Sequence, residues 1–241
     1  MHPLAFERWS AGETRLHQLD ARVKLLAALG LLLVIAWTDG SSAAAFGGYF
    51  LLLTSFLWAA RIPLAGSLLR TFMVLPFVAG VVILNLWGGD PARAILTMAR
   101  GMFSAYTAIA LLSTTPFPAL MRGLERLRVP PFLIMVLHFV YRYLFLLTNQ
   151  AQDMLRARRC RAPEPRRRSR FWSASAGAVA ILFARGYNRA ERIHHAMLAR
   201  GFESHFPVMH ARQTPSADWW WLAGVLVLMA AIHVAARTWP L

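Results

Sequence analysis

Apolar runs, each cut off by charge or by glycine and proline, set the pattern of the chain. Val23 to Trp37 (VKLLAALGLLLVIAW) begins beside Arg22 and Lys24 and ends at Asp39-Gly40. Ser42 to Ala60 is closed by Arg61-Ile62-Pro63, and Thr71 to Trp87 lies between Arg70 and Gly88-Gly89-Asp90-Pro91. Gly101 to Leu112 is weaker; it starts around Ala94, which puts Arg100 near a membrane boundary where its side chain can snorkel. Asp218 to Ala236 opens on Trp219-Trp220-Trp221, an aromatic anchor of the membrane interface. A bilayer crossing takes about 20 mostly apolar residues, so these five runs are predicted transmembrane helices.

Between the fourth and fifth runs the pattern changes. Phe117 to Arg128 alternates apolar and basic positions as an amphipathic helix stopped by Pro130-Pro131. Phe132 to Leu147 is apolar, but Tyr141-Arg142-Tyr143 interrupts it, and a crossing there would put the arginine-rich part outside. It is therefore read as the start of a long helix running through Arg161. Glu164 to Arg170 (EPRRRSR) reads as a polar turn, and Phe171 to Gly201 as one or two further helices. The predicted fold is an all-α integral membrane protein with about five transmembrane helices and a cytoplasmic helical region. Residues 1–115 form the N-terminal tail and four-span bundle, 116–217 the basic helices, and 218–241 the last span.

Composition supports this division. Apolar types make up 57% of 241 residues and charged types 15%, yet 26 basic against 11 acidic residues leave a net charge of +15. So apolar a chain is neither disordered nor a water-soluble monomer, and a nucleic-acid-binding domain explains the charge but not the apolar excess. Basic residues mark cytoplasmic segments. Arg8, Arg15, Arg22 and Lys24 precede the first span, whereas Asp39 to Ser41 has none. The stretch Pro116 to Ala217 holds 17 of the basic residues and five acidic ones. Four spans in and one out place both the N-terminus and this block on the cytoplasmic side of a multi-pass membrane protein. Lys24 is the lone lysine and follows Leu19-Asp20-Ala21-Arg22-Val23, so the chain has no P-loop of its own. With Cys160 as its single cysteine it has no internal disulfide or multi-cysteine zinc site.

Within the basic block two stretches share a frame. Gln152 to Ala162 reads QDMLRARRCRA and Glu191 to Gly201 reads ERIHHAMLARG. Met154 and Ile193, Ala157 and Ala196, and Arg161 and Arg200 occupy matching places. Residues seven apart on a helix lie nearly above one another. Arg161 thus falls on the stripe of Met154 and Ala157, and Arg200 on that of Ile193 and Met197. Each arginine is flanked by small residues, Cys160 and Ala162 or Ala199 and Gly201, which permit close approach by another surface. A guanidinium taken into such a surface needs a carboxylate or backbone carbonyls to receive it. A third Ala-Arg-Gly, Ala99 to Gly101, lies near the opposite boundary and reads as coincidental. His194-His195, His205 and His210 invite a metal reading, but no Asp or Cys cluster joins them, so no metal site is expected in this chain. Arg166-Arg167-Arg168 reads as a solvated turn, with anionic lipid headgroups as an alternative partner. Gly30, Gly47, Gly48 and Gly80 are expected at close helix contacts, and Arg142 either as a buried pivot or as a snorkelling side chain. No nucleophile–base pair or paired catalytic carboxylates are evident.

Over nearly its whole length the chain resembles the transmembrane T component of energy-coupling factor (ECF) transporters, specifically the CbiQ type. The resemblance rests on Leu19-Asp20-Ala21-Arg22-Val23-Lys24-Leu25-Leu26, on Leu124-Glu125-Arg126-Leu127-Arg128-Val129-Pro130, and on Tyr141-Arg142-Tyr143-Leu144-Phe145 with the run to Arg161. It is completed by Arg189-Ala190-Glu191-Arg192 and Ala196 to Phe202. It implies a non-catalytic subunit that couples ATP hydrolysis to cobalt uptake, and makes 116–217 a coupling region. Two X-Arg-X signatures, Cys160-Arg161-Ala162 and Ala199-Arg200-Gly201, would end coupling helices supported by Met154, Ala157, Ile193, Ala196 and Met197. The first departs from the commoner Ala-Arg-Gly in having Ala162. Implied partners are two ABC-type (CbiO-like) ATPase subunits, which bind ATP and Mg, a substrate-binding (CbiM-like) membrane subunit, a small accessory membrane subunit and the lipid bilayer, but no nucleic acid. No cofactor is expected in this chain. Alternatives are the same role for nickel or a vitamin, or a membrane-bound transferase holding phosphates with the basic block.

Overall fold

The computed structural model describes residues 12, 14–38, 43–161, 168–202 and 216–238, and every regular element among them is an α-helix. The helices are α1 (Arg15–Gln18), α2 (Ala21–Trp37), α3 (Ala43–Ala59), α4 (Leu64–Phe72), α5 (Leu75–Trp87), α6 (Pro91–Thr114), α7 (Phe117–Arg126), α8 (Pro131–Arg161), α9 (Arg168–Ala199) and α10 (Ser216–Thr238). They divide into two compact units, Met1–Leu127 with Ala211–Leu241, and Arg128–His210.

The first unit is a bundle around α2. Asp20 starts that helix, its Oδ1 accepting from the backbone N–H of Arg22 at 3.0 Å, an N-cap that satisfies one of the free amides of the first turn. Leu31, Ile35, Tyr49, Leu53, Leu57, Tyr106 and Met229 join α2, α3, α6 and α10 in one core. Close approach depends on small residues. A Cβ on Gly48 would stand 2.7 Å from Ile232 Cγ2, and one on Gly30 would stand 3.0 Å from Leu226 Cδ2, whereas Gly47 and Gly80 have nothing within 4 Å. Two of the four glycines expected at helix contacts therefore hold that place.

The run Thr71 to Trp87, expected as one span, is broken. α4 and α5 meet at a 46° bend around Met73 and Val74. The cause is Pro76, which lacks an N–H and whose ring would clash with the carbonyl of Phe72 in a continuous helix. α5 has no buried residue, yet it is almost wholly apolar, with Phe77 84% and Trp87 87% exposed. Such a face suits lipid rather than water. α7, which the charge pattern groups with the basic block, packs on α2 in this unit. It is stopped before Pro130-Pro131 by Arg128 in the left-handed conformation (φ 64°).

By length and composition Pro91–Thr114, Pro131–Cys160 and Ala217–Ala235 can each cross a membrane, and the α4–α5 pair makes a fourth if its halves form one bent span. α2 and α3 have 17 residues each, about 25 Å of helix against a hydrocarbon core of about 30 Å. The chain is thus an all-α membrane protein. The apolar start of α8, read from the sequence as non-crossing, is long and apolar enough to cross, because Arg142 adds a single charge to it. Arg142 itself is exposed rather than buried.

The second unit consists of α8 and α9. As expected, α8 runs unbroken to Arg161. α9 is one helix rather than two, and it begins at Arg168, inside the stretch read as a turn. On α9 the half-buried positions recur every three or four residues: Ser175, Ala178, Leu182, Gly186, Arg189, Ile193 and Met197. That stripe is the helical period of a face turned toward another surface. The two helices run in opposite directions. Arg158 Nη1 donates to Ser175 Oγ at 3.4 Å, and a Cβ on Gly186 would lie 3.9 Å from Leu147 Cδ2.

Candidate functional site

The end of α9 is built by its sequence. The N–H of Phe202 donates to the carbonyl of Met197 at 3.1 Å and that of Gly201 to the carbonyl of Leu198 at 3.0 Å. This 6→1 and 5→2 pair is a Schellman stop, with Arg200 as the C-cap residue and Gly201 beyond it. Gly201 takes φ 71°, a conformation open to glycine at no steric cost. In Ala199-Arg200-Gly201 the glycine therefore ends the helix and leaves the arginine on its rim. All three residues are exposed, Ile193 and Met197 are half-buried, and Ala196 faces outward. The stripe thus leads to an exposed cation at the negative end of the helix dipole.

α8 ends differently. Its helix includes Arg161, Cys160 is exposed, and Ala162 and the segment to 167 lie outside the described residues. Met154 is half-buried and Ala157 exposed. The contact between Leu147 and Gly186 lies 14 residues before Arg161 and 14 before Arg200, which is about 21 Å of helix in each case. Because α8 and α9 are antiparallel, these arms point in opposite directions. The two arginines predicted as a pair are not brought together; they end the opposite arms of one hairpin.

The third Ala-Arg-Gly differs in context. Ala99 to Gly101 lies inside α6, and Arg100 Nη2 donates at 2.7 Å to the carbonyl of Thr38, the C-cap of α2. Beside it Thr38 Oγ1 lies 3.2 Å from Tyr49 OH, which is 3.3 Å from His233 Nδ1. Arg100 thus ties α6 to the end of α2, and Thr38, Tyr49 and His233 extend the contact to α3 and α10.

A second polar junction went unassigned in the sequence, although most of its residues fall in quoted motifs. Asp20 Oδ2 pairs with Arg126 Nη1 at 2.7 Å, with side chains 11% and 25% exposed respectively. The backbone N–H of Asp20 donates to Asp218 Oδ2 at 3.0 Å, and Arg22 Nη2 donates to the carbonyl of Arg126. Lys24 is buried, and its Nζ donates to the carbonyls of His17 at 3.1 Å and Thr114 at 3.0 Å. Five charged groups thereby tie the starts of α2 and α10 to the ends of α1, α6 and α7. Its one local signal was Asp218, a carboxylate at the mouth of an apolar run, where an unpaired charge is costly.

Among the described residues no group of three or more His, Cys, Asp or Glu is placed to hold a metal ion. The rings of His194 and His195 are 6.0 Å apart, while His205 and His210 lie outside the described residues.

The family described as cobalt transport protein (CbiQ) matches residues 12–210. The chain is 33% identical over 179 residues to the cobalt transport protein CbiQ of Rhodobacter capsulatus, covering 74% of this chain and 72% of that protein. An uncharacterized protein of Methanocaldococcus jannaschii is 21% identical over 254 aligned residues, covering 96% of this chain and 86% of its own length. A second protein of that organism, also uncharacterized, is 25% identical over 122 residues, covering 51% and 45%. The family match takes in Asp20, Arg126 and both arginine-ended helices; the chain belongs to the CbiQ family of cobalt transport proteins, membrane components of transporters.

Proposed function

We propose that this chain is the energy-coupling transmembrane subunit of an ECF-type importer, linking ATP hydrolysis by two partner ATPase subunits to cobalt uptake through a substrate-binding membrane subunit. One observation carries the reading: the two X-Arg-X motifs end opposite arms of one antiparallel hairpin, so each can engage a different partner. Arg200 stands exposed on a helix rim that Gly201 has closed. A groove offering a carboxylate and carbonyls would receive a planar guanidinium with several hydrogen bonds, which a lysine could not match.

The mechanism is mechanical. ATP and Mg bind in the partners, whose approach to one another on binding ATP draws on both arms of the hairpin and tilts the substrate-binding subunit. The hairpin transmits work only if its contacts differ in strength between the two ATPase states, since equal contact with both shifts neither. The protein lies in the bacterial cytoplasmic membrane with its N-terminus and basic hairpin on the cytoplasmic side, α8 lying along that face rather than crossing, as the basic residues before α2 and in 116–217 favour. Charge reversal tests this. Arg161→Glu and Arg200→Glu should each cut cobalt uptake at least tenfold and reduce co-purification of the ATPase subunits, and the double variant should abolish both. Full uptake with unchanged co-purification in both single variants would overturn the reading.

A further inference from the structure

Arg185, Asn188, Arg189 and Arg192 fall at i, i+3, i+4 and i+7 on α9, within one face about 100° wide. Together with Gln150 of α8 they line a cleft of about 220 Å³. Among the described residues no carboxylate lines it; Glu191, the nearest in sequence, points about 100° away from Arg192 around the helix. Among the described residues, acidic groups pair with Arg93, Arg126 and Arg156, and none with these three arginines. Three guanidinium groups without counter-charge in one cleft repel one another, and an oxyanion with several acceptor oxygens relieves that repulsion. Arg189 is half-buried, so its charge is only partly compensated by water.

Beyond Gln150 on α8, Asp153 is held by Arg156; in the other direction the helices turn apolar. Tyr143 and Leu146, two turns and one turn before Gln150 on its side of α8, are half-buried, and Ile181, one turn before Arg185, is 50% exposed. This stretch of α8 belongs to a segment able to cross a membrane. A basic pocket between helices, next to apolar surface, fits a phosphate group that carries acyl chains. We propose that this cleft is a phosphate-binding site, with an anionic phospholipid headgroup or a soluble phosphate as the source. It includes neither Arg161 nor Arg200, so it stands apart from the coupling reading.

The test uses the full chain, purified in detergent, with phosphatidylglycerol retention counted by native mass spectrometry and inorganic phosphate binding followed by titration. The cleft variant R185Q/R189Q/R192Q is compared with R61Q/R93Q/R122Q, which removes equal charge from three exposed positions of the first unit. Retention should fall at least tenfold in the cleft variant and less than twofold in the control. Phosphatidylglycerol held against excess inorganic phosphate identifies the lipid as source; inorganic phosphate that binds and displaces it identifies the soluble anion. The double variant R185Q/R192Q, at two exposed positions, repeats the comparison if the triple variant does not fold. Equal losses in cleft and control variants, or no binding of either probe, would overturn the proposal.

Discussion

In the first unit Val23, Ile35, Tyr49 and Leu57 are completely buried and charged residues tie helix ends together across the bundle; in the second, Ile134 is the one buried apolar residue among those described. The first unit thus holds itself together. The second is two long helices that touch along a half-buried stripe. Two helices with no buried core of their own are marginal in isolation, and their order depends on what covers their remaining faces. A bundle with its own buried core and a hairpin without one therefore draw their stability from different sources.

The sharpest way to break this contrast is to cut the charged junction of the first unit. Asp20→Ala removes the N-cap of α2 and leaves Arg126 without its carboxylate, at a cost of about 3 kcal/mol. It should lower the midpoint of thermal unfolding in detergent, and Asp20→Asn, which keeps a capping oxygen, should lower it less. An unchanged midpoint in Asp20→Ala would mean that the junction does not hold the bundle.

Packing gives the next effect. Gly48→Val forces a side chain against Ile232 and should destabilise the bundle by about 2 kcal/mol, while Gly47→Val, facing open space, should leave the midpoint nearly unchanged. Equal effects would show that the α3–α10 contact is loose. The smallest effect belongs to the second unit. Gly201→Ala, at φ 71°, should cost about 1 kcal/mol and confine the damage to the last turn of α9. Hydrogen exchange should speed up at the amides of 200–202 with no shift in global unfolding. A global shift would mean that the hairpin end helps to hold the whole chain.

The sequence announced what was local. Runs of apolar residues located α2, α3, α6 and α10 to within a few residues, and the glycine after Arg200 marked the end of α9. The break at Met73 and Val74 escaped because one proline inside an apolar run barely lowers its average hydropathy, though it removes a backbone donor. The charged junction escaped for a different reason. Arg126 meets Asp20 across 106 positions and Asp218 meets it across 198, and no local period records such a pairing. The opposed arms of the hairpin were equally hidden, since two matching eleven-residue frames say nothing about the directions in which their helices run.

The Schellman stop at Gly201 also restricts how α9 can vary. A helix turns about 100° and advances about 1.5 Å per residue. One residue inserted or deleted between Gly186 and Gly201 would therefore swing Arg200 to a different side of the rim and change the length of its arm, although every local preference would still be met. Substitutions on the exposed face of this stretch leave that phase intact. Evolution of α9 beyond Gly186 should accordingly proceed by exchange of residues at constant length, with insertions and deletions displaced to the segments before Arg168 and after Phe202.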